Sequence, residues 1–336
     1  METEFLKVTQ ESIEKTCDII KNGDVAAIPT ETVYGLFADA TKSEACAKIF
    51  MAKDRPQDNP LIVHICDYDM LREVAAEVPE DAIKLAEAFW PGPLTMILKK
   101  SDLIPNSVSA GLDTVGIRMP SNPVILEVIS KTRLPLAGPS ANRSGRPSPT
   151  DGQTVYDDMV GRIPMVLDGG SCNIGVESTV ISLAGEQPIL FRPGYITQKQ
   201  LSQVLGKEVI LSHGITEELG KDEKVLSPGL KHKHYAPKAE VVIVNAPFEK
   251  YKELVEKEKA TAMCFEEYKD KINAPVVCYG SEKDSASQAV NLFSALRELD
   301  KIGADKVYAM MPSTEGVGLA VYNRLLRAAA FRVVNL

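Results

Sequence analysis

Two cations stand two residues apart at Lys53 and Arg55, in the run Lys53-Asp54-Arg55-Pro56-Gln57-Asp58-Asn59-Pro60. The two prolines predict an extended segment, on which alternate side chains point the same way. Lys53 and Arg55 would then present two positive charges to one ligand, with Asn59 beside them. A triphosphate is commonly held by such donors. The plainer alternative is that Lys53 only complements the C-terminal dipole of the helix before it. Arg118 poses a sharper question. It sits in the apolar strand TVGIRMP, and a cation there requires an anion, either a protein carboxylate or a substrate.

Five further groups of polar residues lie at the ends of apolar runs. Pro29-Thr30-Glu31-Thr32-Val33-Tyr34-Gly35 comes directly after the buried strand VAAI, where α/β sheets bind ligands. Thr30 and Thr32 there either offer hydroxyls to a small polar substrate or close a local turn. Gly138-Pro139-Ser140-Ala141-Asn142-Arg143-Ser144-Gly145-Arg146-Pro147-Ser148 is dense in hydroxyls, small residues and arginine, a composition suited to an anion nest or to a solubilising loop. Asp168-Gly169-Gly170, Glu177-Ser178-Thr179 and Arg192-Pro193-Gly194 add polar loops at strand ends. His64 taken alone reads as a core histidine. The sequence contains no GxxxxGK[ST], GxGxxG between strand and helix, GxSxG or HExxH, so function rests on these clusters.

The elements that must position them read as α/β. Residues 9–22 carry Ile13, Cys17 and Ile20 at helical spacing, and TKSEACAKIFMAK opens a second helix with Thr41 as its cap. VAAIPT, PLIVHI, LTMILKK, TVGIRMP, PMVLDGG, STVISL and PILFRPG read as strands, with helices near 67–77, 79–89, 121–131 and 152–161. This first domain spans residues 1–205. Residues 206–238 read as a linker, within which Val209 to Leu211 can form a short strand. From 239 to 336, VVIVN, TAMCF, VVCYG and KVYAMM alternate with helices at about 248–258, 284–302 and 318–330, which predicts a small parallel sheet. Gly316-Val317-Gly318 reads as the tight turn into the last helix.

Bulk properties narrow the class. A chain of 336 residues exceeds one ordinary core, which predicts two domains. The net charge of -8 argues against a general nucleic-acid coat, though a local basic cleft is compatible with it. The six cysteines are scattered without CxxC spacing and read as free thiols rather than a zinc site. METEFLKVTQ lacks the pattern of a signal peptide, and no apolar stretch approaches a membrane span, so the expected compartment is the cytoplasm, with no membrane partner.

Nine segments taken in order resemble the YrdC-like family, specifically the two-domain threonylcarbamoyl-AMP synthases: PTETVYGL, KIFMAKDRPQDNPLIVH, WPGPLT, GIRMP, PSANRSGRPSPT, DGG, ESTV, RPG and SPGLKHKHYAP. The second domain resembles that family through GVGLAVYNRLLRAA. The implied fold is a YrdC-like twisted-sheet α/β catalytic domain followed by a small Rossmann-like parallel domain. The implied reaction joins L-threonine, bicarbonate and ATP into threonylcarbamoyl-AMP and pyrophosphate. By the resemblance, Lys53 and Arg55 are catalytic, and Arg55, Asn59, Thr114, Ser140, Asn142, Ser148, Arg192, His234 and Tyr235 hold ATP. Thr32, His64, Arg118, Gly138 and Ser178 would hold threonine. His232 departs from the tyrosine common in relatives.

No residue is expected to ligate metal directly, Mg²⁺ being carried by ATP and water. The product would pass to a tRNA threonylcarbamoyl transferase, with at most weak tRNA contact by this chain. The stretch 227–235 would fold over the nucleotide as a lid. Two other functions fit parts of the pattern: a carbamoyltransferase working through carbamoyl-AMP, and an RNA-binding module. The first normally carries zinc fingers, missing here, and the second should interleave aromatic and basic residues.

Overall fold

The structure is a computed structural model that describes residues 1–57, 59–217 and 235–336. Among these residues the chain builds two sheets. The larger runs from β1 (Glu4–Lys7) through β8 (Met165–Asp168), β2 (Ala26–Ile28), β3 (Gly35–Asp39), β7 (Leu136–Gly138) and β4 (Ile62–His64). It continues through β6 (Thr114–Arg118), β5 (Leu94–Lys99), β9 (Thr179–Ser182) and β10 (Ile189–Arg192) to β11 (Ile210–Leu211). Pairing is mixed, with β3 and β7 antiparallel to each other and to their outer neighbours β2 and β4, and β4 parallel to β6. The smaller sheet is parallel throughout, ordered β14 (Val276–Cys278), β13 (Thr261–Cys264), β15 (Lys306–Met310), β12 (Glu240–Asn245) and β16 (Val333–Asn335).

Counted from its own first strand, the smaller sheet has the order 3-2-4-1-5. The usual dinucleotide-binding order is 3-2-1-4-5 followed by a sixth strand, so this parallel sheet does not reproduce that topology. The last helix, Gly316–Ala328, starts where the two glycines of GVG are needed. Gly316 has a φ of +53°, and a Cβ on Gly318 would lie 2.6 Å from the Ser313 carbonyl oxygen. The turn expected there is the one observed.

Local chemistry accounts for most boundaries. Gln10–Lys21 begins at Thr9, whose hydroxyl accepts from the Ser12 amide in a reciprocal capping box, and buries Ile13, Cys17 and Ile20. Ser43–Lys53 differs from expectation at its start. Thr41 does not cap it: the Thr41 hydroxyl donates to Asp39 Oδ1 at 2.7 Å, and Lys42 occupies the capping position. Four strands are additional to those expected, β1, β3, β7 and β16, each three to five residues long and too short to show a period. Residues 206–217 do not hang free of the first sheet. Within them β11 pairs with β10, and Val209 and Ile215 join the first core.

The second domain packs closely on the first. The helix Ser285–Lys301 runs directly over Gly175, and Val33 and Val176 share a core with its Leu292 and Phe293. A Cβ on Gly175 would lie 2.4 Å from Val290 Cα and 2.5 Å from the Ala289 carbonyl oxygen, and the residue has a φ of +80°. Arg324 and Arg297 cross the same junction. Arg324 is fully buried and donates from Nε to Glu177 Oε2 at 3.0 Å, while Arg297 Nη2 donates to Asp158 Oδ2 at 2.8 Å.

Gly175→Ala therefore combines a left-handed backbone with a clash against backbone. Its urea midpoint should correspond to a loss of about 2–4 kcal/mol. Gly161→Ala is the matched control, since Gly161 also has a φ of +80° but nothing within 4 Å of the added atom. It should lose only about 1–2 kcal/mol, the cost of the strained conformation alone. Equal losses in the two variants would show that close approach of the domains is not what Gly175 provides.

Candidate active site

An open cleft lies beyond the carboxyl ends of β2, β4, β6, β7 and β10. Thr32, Lys53, Arg55, His64, Arg118, Gly138, Ser140, Asn142, Ser178, Arg192 and Tyr235 all line it. Asn59, Thr114 and Ser148 are not on its wall. Thr114, at the start of β6, instead lines a small separate hollow that shares Pro60 and Leu61 with the cleft. Ser148 is buried and donates to Glu177 Oε1 at 2.6 Å, so it reaches the cleft only through that carboxylate. Asn59 is also buried, with Oδ1 making no hydrogen bond and its carbonyl accepting from Arg55 at 3.4 Å. His234, and the lid stretch up to it, lie outside the described residues.

The extended segment expected across Lys53 and Arg55 is not what forms. Lys53 is the last residue of its helix, and Asp54 turns the chain through a left-handed conformation with a φ of +52°. The Lys53 ammonium is 2% exposed and donates to the carbonyls of both Ser140 and Asn142. Burial, and then the Arg55 charge, hold its pKa well below the ordinary lysine value. Lys53 is thus a tie between helix and loop rather than a second cation beside Arg55. The loop is also fixed from within: Ser140 Oγ donates to Asn142 Oδ1 at 2.6 Å, and Asn142 Nδ2 donates to the Arg146 carbonyl at 2.9 Å.

Arg118 has the protein carboxylate that its position called for, and it also lines the cleft. Its Nη2 approaches Glu31 Oε1 at 2.6 Å, a close ion contact whose angle leaves no hydrogen bond on either atom. Nη1 donates to Thr32 Oγ1 at 3.0 Å. The carboxylate neutralises the buried cation. Thr30 Oγ1 donates to the Val33 carbonyl at 2.6 Å, so this hydroxyl closes the local turn. His64 is buried edge-on to Phe37, with ring centroids 4.9 Å apart. Burial, reinforced by Arg118, lowers its pKa to about 3, which keeps the ring neutral at physiological pH.

Arg192 donates to the Ser178 carbonyl at 2.9 Å and to its hydroxyl at 3.0 Å. Ser178 Oγ in turn shares a 2.8 Å hydrogen bond with Thr95. Burial, and then the nearby Arg324, lower Arg192 to about 10, still protonated at pH 7. Glu177 is buried beside them. Desolvation pushes its carboxyl up, but Arg324 and then Arg192 more than reverse this, and it stays below the ordinary range. Tyr235 packs on Phe293 at 5.1 Å and closes one end of the cleft.

Known proteins resemble this chain over its whole length. The family described as "Telomere recombination" matches residues 18–194, and the one described as "Threonylcarbamoyl-AMP synthase, C-terminal domain" matches residues 196–330. Threonylcarbamoyl-AMP synthases of Pyrococcus abyssi and Bacillus subtilis are each 41% identical to this chain, covering 98% and 99% of it and 97% of their own length. The crystal structure of P. abyssi Sua5 complexed with L-threonine superposes with a TM-score of 0.91 at 39% identity, covering 100% of this chain and 99% of that one. Fold and cleft together define a two-domain α/β enzyme of the YrdC-like class. The chain belongs to the threonylcarbamoyl-AMP synthase family.

Some site residues escaped sequence reasoning. Glu31 and Glu177 stood inside the polar clusters without a role, and Arg324 stood inside NRLLRAA. The signal for Arg324 was present: with Ala320, Val321, Leu325 and Ala328 it occupies the buried face of an amphipathic helix. The argument that singled out Arg118 applies equally there.

The protonation of His64 gives a test. Its folded pKa lies below the unfolded one, so its contribution is complete above the unfolded value near 6.5 and declines as pH falls toward about 3. His64→Gln should flatten the stability profile between pH 6.5 and 5, where carboxylates contribute little, removing a slope of up to about 1.4 kcal/mol per pH unit. An unchanged slope would mean that His64 is protonated in the folded protein. Lys53→Ala should lower the melting temperature as well as turnover, because its ammonium holds the loop; loss of turnover at an unchanged melting temperature would return Lys53 to the role of a ligand-facing cation.

Proposed function

We propose that this cleft binds L-threonine and ATP side by side and, with bicarbonate, produces threonylcarbamoyl-AMP and pyrophosphate. The observation that carries the reading is a single cleft whose wall combines two sets of groups. Arg118, Thr32, His64 and Ser178 offer a cation, hydroxyls and a neutral imidazole, suited to a small hydroxylated amino acid. The P. abyssi relative solved with L-threonine supports that choice of substrate. Arg55, Arg192 and the loop Ser140–Asn142 on the same wall suit a nucleotide triphosphate, and Tyr235 lines the cleft with them. Ser148 and Asn59 are buried behind the wall, and Thr114 lines the separate hollow.

The chemistry needs no protein nucleophile. The threonine amine condenses with bicarbonate to an N-carboxylate, releasing water. A carboxylate oxygen then attacks the α-phosphorus in line, and pyrophosphate leaves. Such a transfer depends on alignment and charge neutralisation. Arg118 with Thr32 fixes the amino acid, Lys53 fixes the phosphate loop, and Arg55 and Arg192 offset charge on the departing pyrophosphate. Among the described residues, Glu31 and Glu177 are carboxylates beside the cleft, and both are engaged by arginine. This donor set fits Mg²⁺ bound by the nucleotide and water, where it would neutralise phosphate charge, better than a protein-ligated ion. No helix among the described residues is long and apolar enough to cross a membrane. We place the activity in the cytoplasm, upstream of a transferase that carries the threonylcarbamoyl group to tRNA, with at most weak tRNA contact by this chain.

Pyrophosphate release should require threonine, bicarbonate and ATP together, which an assay omitting each in turn reads directly. Valine, the isosteric analogue without the hydroxyl, should be worse than threonine by roughly 10⁴-fold in kcat/KM if the site's polar groups must be paired. Equal release with valine, or release without any amino acid, would contradict the reading.

A further inference from the structure

The buried arginine Arg324 belongs to the second domain, yet its partners lie beside the cleft of the first. Nε donates to Glu177 Oε2 at 3.0 Å, Nη2 donates to the Glu177 carbonyl at 3.2 Å, and Nη1 donates to the Pro193 carbonyl. These two carbonyls flank Ser178 and Arg192 in sequence. The guanidinium therefore grips both of the strand-end loops from which Arg192 and Ser178 enter the cleft. Glu177 completes its own set of partners with the Ser148 hydroxyl at 2.6 Å.

Charge makes this arrangement more than a tether. Glu177 and Arg192 are both buried and both border the cleft. A buried carboxylate left without a partner takes the nearest cation. With Arg324 in place, Glu177 is satisfied, and Arg192 donates to Ser178 instead. Without it, the nearest buried guanidinium is Arg192, whose positive charge would be neutralised before any anion entered.

We infer that Arg324 is a positioning residue for nucleotide binding: by occupying Glu177 and the Pro193 carbonyl, it leaves the charge of Arg192 to the phosphates of the substrate. The inference rests on the reading that ATP occupies the cleft. It gives the second domain a specific part in the site, through one side chain of its last helix.

The test is the dissociation constant of ATP, measured by calorimetry on full-length protein whose fold is checked by circular dichroism and melting temperature. Arg324→Met should weaken ATP about tenfold or more, the scale of one lost charge-assisted interaction, while threonine binding shifts far less. Glu177→Gln in the same chain removes the carboxylate that would capture Arg192. The double variant should therefore bind ATP within about threefold of wild type, a rescue that a purely structural role does not predict. If Arg324→Met fails to fold, Arg324→Lys serves: it keeps the charge but loses the fork, and should fall between wild type and a full loss, again improved by Glu177→Gln. Wild-type affinity in the folded single variant, or a double variant no better than the single, would overturn the inference. Absence of ATP binding by the wild-type protein would instead sink the assignment of the cleft.

Discussion

Glu177 is buried at the point where the two domains meet, and a carboxylate cannot be left there unpaired. Removing one partner from a buried pair typically costs about 3–5 kcal/mol, more than most other single changes. The chain answers with Ser148 from the first domain and Arg324 from the second. Three segments far apart in sequence are thereby fixed at one point: the end of the loop after β7, the approach to β9, and the last helix. The cleft wall that carries Ser178 and Arg192 owes its shape to that requirement. Glu31 plays the corresponding part for Arg118 by neutralising it.

This makes the cleft a place where cations are allotted. Lys53 is given to backbone carbonyls, Arg324 to Glu177, and Arg118 in part to Glu31. What remains for an anionic ligand is smaller than the count of positive residues suggests, and it is well positioned because so little is free to move. A site that aligns two substrates without forming a covalent intermediate gains most of its rate from such fixed geometry. The neutral His64, held against Phe37, fits the same pattern: a shaped wall with a polar edge rather than a proton carrier.

The order of strands and helices was largely legible, because apolar runs bounded by glycine and proline mark both sheets. The parallel character of the second sheet followed from strand–helix alternation. Its insertion of β15 between β13 and β12 did not, since periodicity carries no information on strand order. Within the site, the polar loops after β2 and β7 and the segment leading into β4 were found as clusters and do converge on one cleft. Lys53 was misread because two prolines downstream were taken to govern a residue that the preceding helix still holds. The pairing of Glu177 with Arg324 was missed because it spans 147 positions, which neither local sequence shows. The placement of Thr114 on a separate hollow is likewise a property of β6 in the sheet and not of its neighbours in sequence.

The most direct measurement is a crystal structure of the full chain with L-threonine and a non-hydrolysable ATP analogue. The account predicts the threonine carboxylate on Arg118, the triphosphate against Arg55 and Arg192, and Glu177 still on Arg324. A nucleotide bound outside this cleft, or Glu177 turned from Arg324 onto Arg192 in the filled site, would contradict it.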